Sequence, residues 1–224
     1  RDHLTQHVHI LAGDIGERQL WRPAGLERAA RYIETTWQGQ GYQVARQSVA
    51  AEGKIVYNLE TELPGGAQAQ EIVLVGGHYD AVFGSPGAND NATGTAAVLE
   101  LARLLAGQRL ARTVRFVTFV NEEAPFFKTD AMGSWAYARR SRARGEQIVA
   151  MLSIETIGFF SDVVGSQHYP WPFGLLYPRT GNFIAFVGNI ASRALVHRSI
   201  ATFRQHTAFP SEGVAAPGWM TGIG

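Results

Sequence analysis

The pattern of apolar and polar positions divides the first part of the chain into helices and strands. Residues 3–12 and 24–38 are predicted helices. The second contains an apolar stripe at helical spacing, formed by Leu26, Ala29, Ala30, Ile33 and Trp37. Residues 42–49 and 55–60 are predicted strands because they are rich in strand-forming residues, and Glu52-Gly53 is predicted to be the turn between them.

The remaining sequence continues this alternation. Further strands are predicted at residues 72–75, 114–120, 148–154 and 183–187. Further helices are predicted at residues 92–106, about 131–144 and about 191–205. The tail from Phe209 to Gly224 is mostly Pro, Gly, Ala and Ser and is predicted to be a loop. Strands that alternate with helices indicate an α/β fold.

Composition narrows the classes of function. The chain has 224 residues, which predicts a single domain over residues 1–224, and 46% of them are hydrophobic. The net charge of +1 gives no support for binding nucleic acid or an acidic membrane surface, and no stretch approaches the roughly 18 apolar residues of a membrane span. Cysteine is absent, so any metal must be held by His, Asp or Glu.

Ligand-type side chains follow three of the predicted strands directly. His78 and Asp80 follow the first, Glu122 and Glu123 the second, and Glu155 the third. In open α/β sheets the functional crevice lies at the carboxyl ends of the strands. We therefore expect these five side chains to meet in one site.

The residue types favour a metal site of the hydrolytic kind. His78, Asp90, Glu123 and Glu155 are candidate ligands, and imidazole with carboxylates suits Zn²⁺ without thiolates. Asp90, in the loop before a helix, is the candidate for a carboxylate that bridges two metals. Glu122 and Glu123 are neighbours on an extended segment, so one can bind metal while the other faces bound water as a general base.

Five short segments, read in order, resemble a known family. They are Gly77-His78-Tyr79-Asp80, the run from Gly87 to Gly94, Val120-Asn121-Glu122-Glu123, Met132-Gly133-Ser134 and the run from Met151 to Gly158. This series is similar to the zinc-dependent aminopeptidases of the bacterial leucyl-aminopeptidase type, which share their scaffold with glutaminyl cyclases. The resemblance implies a mixed, largely parallel sheet with helices on both faces, and a peptide with a free N-terminus as substrate.

The resemblance also implies a role for each residue of the first zinc site. His78 would bind the first zinc, and Asp80 would orient the imidazole. Asp90 would bridge both zincs. Glu155 stands where the family has a carboxylate ligand to the first zinc, commonly Asp.

The implied second zinc site departs from the family pattern. Glu122 would be the general base and Glu123 a ligand to the second zinc. The family has a further His ligand in a Ser-Asp-His segment near the C-terminus, and here the sequence has Pro217-Gly218-Trp219 and ends at Gly224. We therefore expect a domain that is incomplete at its C-terminus, without the last strand of its sheet, and one complete zinc site where the family has two.

We expect a zinc-dependent aminopeptidase whose activity in this chain is impaired by loss of the last His ligand. Two alternatives to this interpretation stay open. One is a glutaminyl cyclase-like acyltransferase, and the other is an inactive binding domain on the same scaffold. The expected location is secreted or periplasmic in a bacterium. The sequence begins Arg1-Asp2-His3-Leu4 without a signal-peptide pattern, and a removed export signal would leave no trace in it.

Overall fold

The computed structural model describes residues 2–169, 171 and 173–217. The chain forms two compact units that divide after Gly158. The prediction of one domain over residues 1–224 stays a prediction, and Gly218 and Trp219 of the predicted C-terminal loop lie outside the described residues. Within the described part of the chain, no helix is long and apolar enough to cross a membrane.

The first unit contains four α-helices and five strands in the order expected from the sequence. The helices are α1 (Asp2–Val8), α2 (Pro23–Gly39), α3 (Thr93–Leu105) and α4 (Gly133–Ala143). The strands are β1 (Ala45–Ala51), β2 (Lys54–Leu63), β3 (Gln68–His78), β4 (Arg112–Phe119) and β5 (Gln147–Ser153). A wider helical turn over His9–Ile15 extends α1, and an irregular turn over Ala88–Ala92, in which Asp90 and Asn91 leave helical backbone geometry, precedes α3.

The five strands form one mixed sheet with the order β1-β2-β4-β3-β5. Strand β2 is antiparallel to β1 and β4, whereas β3 is parallel to both β4 and β5. The prediction of a mixed sheet is thereby confirmed, and its parallel part is the half that contains β3. Among the described residues β5 is an edge strand of this sheet, and the expectation of a further strand stays a prediction.

Alternation along β4 explains how both faces of the sheet are covered. Val114 and Phe116 point to one face, where they join the main core with residues of α2 and α3. Val117 and Phe119 point to the other face, where the Phe119 ring meets the Tyr137 ring of α4 edge-on at 5.6 Å. Helices therefore flank the sheet on both faces, as expected.

The second unit contains β6 (Ile184–Asn189), α5 (Arg193–His206) and β7 (Ser211–Ala216). The two strands are parallel, and α5 makes the crossover between them, the connection that parallel strands require. The prediction that the tail is a loop from Phe209 onward was therefore wrong for residues 211–216. Their small residues carry no strand pattern, and pairing with β6 in register from Ile184 to Asn189 supplies the backbone hydrogen bonds instead.

Candidate metal centre

The parallel half of the sheet brings the polar strand ends together. His78 is the last residue of β3, while Glu122 follows β4 and Glu155 follows β5. Because β3 lies between β4 and β5 and is parallel to both, the carboxyl ends of all three strands meet at one edge. The loop from β3 to α3 returns Asp90 to the same edge.

Four carboxylates surround the buried His78 imidazole, which is 2% exposed. Its Nε2 lies 2.9 Å from Asp90 Oδ1, 3.4 Å from Glu155 Oε2 and 3.7 Å from Glu122 Oε2. Its Nδ1 lies 3.3 Å from Asp80 Oδ1. One ring nitrogen thus faces a set of three carboxylates, and the other faces a single carboxylate from its own strand end.

His78, Asp90 and Glu155 fit a single zinc ion. Each offers one ligand atom, and these atoms all lie within 4.8 Å of one another, the one group of three in the described chain that does so. Zinc–nitrogen and zinc–oxygen bonds of about 2.0–2.2 Å in tetrahedral geometry put neighbouring ligand atoms roughly 3.3 Å apart. The observed 2.9 and 3.4 Å are close to that spacing.

Asp80 ties His78 to the segment after β4. Its carboxylate accepts the backbone N–H of Glu122 at 3.1 Å and that of Glu123 at 3.2 Å, while it faces His78 Nδ1. Asp80 itself is 2% exposed. A carboxylate in this position fixes the orientation of the imidazole and leaves Nε2 free for a metal.

Glu122 and Glu123 have different surroundings, as their adjacency in the sequence suggested. The Glu122 carboxylate faces His78 Nε2, whereas Glu123 Oε1 accepts the backbone N–H of Val82 at 3.2 Å. Glu123 therefore lies beside the group of three ligands rather than within it. The roles of general base and second-zinc ligand stay predictions for these two residues.

Asn91 is a residue of this site that the sequence analysis did not assign. Its Nδ2 donates to the backbone oxygen of Ile154 at 2.9 Å and to Glu155 Oε2, and its Oδ1 accepts the N–H of Gly94 at 2.9 Å. A Cβ on Gly94 would lie 2.0 Å from Ile154 O, so glycine permits this close approach of α3 to β5. In the sequence, the position of Asn91 next to Asp90 was the signal that could have indicated this role.

Left-handed backbone conformations flank the acidic residues. Asn121, just before Glu122, has a φ of 56°, and Thr156, just after Glu155, has a φ of 47°. Such conformations are costly for residues with a Cβ, most of all for a β-branched one, and they concentrate at functional sites.

The electrostatics of the cluster favour a bound cation. Burial lowers the pKa of His78, but hydrogen bonds to Asp80 and Asp90 outweigh this and raise it to about 11. Burial raises the pKa of Glu155 to about 7, and burial with neighbouring negative charge raises the pKa of Glu122 and Glu123. This excess of buried negative charge around one imidazole suits a bound cation.

Comparison with known proteins places this site in a family. The family model of peptidase family M28 matches residues 58–211, about two thirds of the chain. The protein YfbL of Escherichia coli (strain K12) is 33% identical over 230 aligned residues, with 99% of this chain and 68% of YfbL covered. An aminopeptidase of Pseudomonas aeruginosa (strain PAO1) is 34% identical over 177 residues, which are 74% of this chain and 31% of that enzyme.

The fold is also that of solved structures. LapB from Legionella pneumophila superposes with a TM-score of 0.71 at 18% identity, and the match covers 97% of this chain and 55% of LapB. The chain thus spans about two thirds of YfbL and smaller parts of the aminopeptidase and LapB. With a family match that includes every candidate metal ligand, the chain belongs to peptidase family M28, and its resemblance to zinc-dependent aminopeptidases is confirmed.

Proposed function

We propose that this chain hydrolyses the first peptide bond of peptides with a free N-terminus, as a zinc-dependent aminopeptidase. The observation that supports this most directly is the convergence of His78, Asp90 and Glu155 on one point, with the Glu122 carboxylate beside them. The 34% sequence identity with an aminopeptidase of Pseudomonas aeruginosa supports a peptide with a free N-terminus as the substrate.

The roles of the residues follow from their contacts. His78 Nε2, Asp90 and Glu155 would hold the zinc, which when bound supplies a Lewis acid for the scissile carbonyl and a more acidic water. Asp80 holds the imidazole by Nδ1. Glu122, whose pKa is raised by burial, takes a proton from the attacking water and passes it to the leaving amine.

We further propose that one zinc binds more tightly than any second. The group around His78 supplies three ligand atoms within 4.8 Å, whereas Glu123 stands beside that group with its Oε1 on Val82 N–H. Metal analysis after dialysis against a weak chelator tests this. About one tightly held zinc per chain is the expected result, and two would contradict it.

The activity test uses matched peptides. A short peptide with a free N-terminus and the same peptide with an acetylated N-terminus are incubated with the zinc-loaded protein. Slow release of the first residue from the free peptide alone, abolished by a strong chelator, is the expected result. Absence of hydrolysis in a protein that binds zinc would contradict the proposal and favour a binding domain.

A peptide with N-terminal Gln separates the cyclase alternative. An aminopeptidase releases the Gln residue, whereas a cyclase eliminates ammonia and leaves the peptide bond intact. Mass spectrometry distinguishes the two products by composition. Loss of ammonia without release of an amino acid would assign the chain to the cyclases.

A further inference from the structure

Arg18 is a fully buried arginine next to the metal centre. It is 0% exposed. Its guanidinium donates to the backbone oxygens of three chain segments, and all five acceptors are carbonyl groups: Leu11, Gly16, Tyr79, Pro86 and Gly87. The side chain thus uses the donors that a guanidinium has and an ammonium lacks.

These hydrogen bonds close the loop that leads to Asp90. We name residues 79–91, between β3 and α3, the site loop. Arg18 Nε donates to Tyr79 O at 2.6 Å, at the start of the site loop, and Nη2 donates to Gly87 O at 2.8 Å, three residues before Asp90. One planar group therefore fixes the two arms of the loop with respect to each other.

The backbone and the neighbour of Arg18 add two further contacts to the same loop. The backbone oxygen of Arg18 accepts the N–H of Ala81 at 2.9 Å. The Glu17 carboxylate accepts the N–H of Gly84 at 2.6 Å. The loop is therefore held at its two arms by Arg18 and at its tip by Glu17.

The charge of Arg18 acts on the Asp90 carboxylate of the centre. Burial lowers the pKa of Arg18 to about 10, and the negative charges of Asp80, Glu123 and Asp90 work against that decrease. The group stays cationic at neutral pH. In return its positive charge lowers the pKa of Asp90, together with the hydrogen bond from His78, which is the larger cause.

We propose that Arg18 is a positioning residue of the metal centre, which holds the site loop so that Asp90 faces His78. This inference rests on the proposed function, because it assumes that His78 and Asp90 bind zinc. It concerns a residue outside the segment matched by the family model, which begins at residue 58.

The test compares Arg18→Lys with Arg46→Lys. Lysine keeps the charge of Arg18 but cannot donate to five carbonyls, so we expect zinc to bind about 10–100-fold more weakly, the usual cost of changing a group that orients a metal ligand. Arg46 is a matched control because it also makes several hydrogen bonds, to Glu27 and Glu34, away from the centre. Its variant should bind zinc like the wild type.

Zinc affinity is measured by competition with a chromophoric chelator, on samples whose circular dichroism matches that of the wild type. A second readout is hydrolysis at saturating zinc. If Arg18 acts by positioning Asp90, the activity of Arg18→Lys recovers most of its loss as zinc is raised. A merely structural role would not produce recovery that depends on zinc.

Wild-type zinc affinity in a folded Arg18→Lys variant overturns the inference, and so does an equal loss in Arg46→Lys. If Arg18→Lys does not fold, Glu17→Gln, which weakens the contact to the loop tip together with the ion pair to Arg22, should bind zinc several-fold more weakly. Unchanged affinity in that variant overturns the inference that the anchored site loop supports zinc binding. A wild-type chain that binds no zinc would instead overturn the proposed function itself.

Discussion

Two buried histidines of the first unit lie beside carboxylates, and they differ in what balances the negative charge. His7 is 8% exposed and lies with Nδ1 2.6 Å from the Tyr32 hydroxyl and Nε2 3.4 Å from Glu100 Oε1. Arg103 donates to both oxygens of the same Glu100 carboxylate, at 2.9–3.0 Å. His78, in contrast, faces four carboxylates.

The pKa shifts follow this difference. Burial lowers the pKa of His7, and the hydrogen bond from Arg103 helps to lower the pKa of Glu100 against the effect of burial. At the other cluster the pKa of His78 is raised to about 11 and that of Glu155 to about 7. A histidine beside a carboxylate is therefore not by itself a sign of a metal site, whereas excess negative charge around it is.

The largest expected effect is that of Asp90→Asn. The variant keeps the shape of the side chain but removes the charge from the carboxylate closest to His78 Nε2. Zinc affinity should fall by more than about 100-fold, since even the partners of metal ligands are worth 10–100-fold, and hydrolysis should become undetectable. Chelator competition measures the affinity, with Asp14→Asn, an exposed aspartate beside His9, as the control. If Asp90→Asn kept the zinc affinity of the wild type, the carboxylates around His78 would not mark a metal site any more than the one beside His7 does.

Glu122→Gln should separate chemistry from metal binding. Glu122 lies outside the group of three ligand atoms, so the variant should keep its zinc. Its kcat should fall by about 10²–10⁴-fold, the usual contribution of a general base. Glu52→Gln, in the exposed turn between β1 and β2, is the control for kcat. A parallel loss of zinc would instead assign Glu122 to the ligands.

Glu155→Asp should have a smaller effect on the same site. The shorter side chain withdraws from Asn91 Nδ2 and from the Ser153 hydroxyl, which donates to Glu155 Oε1 at 2.9 Å. Zinc affinity should fall by about 10-fold, the lower range for groups that orient ligands. Tighter binding in the variant would show that aspartate, which the family resemblance implies at this position, fits this chain better than glutamate.

His7→Gln should leave the metal centre unchanged. It removes a buried partner of Tyr32 and Glu100, so the free energy of unfolding should fall by about 1–3 kcal/mol, with no change in zinc affinity. Any weakening of zinc binding would mean that the two clusters are coupled.

The pH dependence of stability gives a second readout of His7. Because its pKa is lowered in the folded chain, the unfolded chain takes up the proton first as the pH falls below about 6.5, and the wild type loses stability there. Denaturant titrations at several pH values should show that His7→Gln lacks this part of the loss.

Local pattern was sufficient to predict most of the fold. The apolar stripe of α2 and the apolar runs of β3, β4 and β5 each carry their own signal, so their positions were predicted to within a few residues at most ends. Strand β7 was missed because Ser211–Ala216 has no such signal. Its structure depends on pairing with β6, which a reading of local sequence does not include.

The contrast between local signals and contacts with distant segments also applies to the residues of the site. His78, Glu122 and Glu155 were found because each follows an apolar strand, and strand ends of parallel neighbours must meet. Asn91 and Arg18 were not found, because their partners are backbone groups of distant segments. A polar run such as Gly16-Glu17-Arg18 looks like a solvated loop until the structure shows that its arginine is buried.

The hydrogen bonds from Arg18 to five carbonyl oxygens limit how far the chain can be shortened from its N-terminus. A shortened version designed from the family match alone would start near residue 58 and would keep every candidate zinc ligand. It would also leave Tyr79, Pro86 and Gly87 without the donor that now satisfies them, since that donor comes from the first 20 residues. We therefore expect the smallest active fragment to include the N-terminal segment. Directed evolution or domain transplantation with this scaffold should keep the first 20 residues together with the family-matched segment.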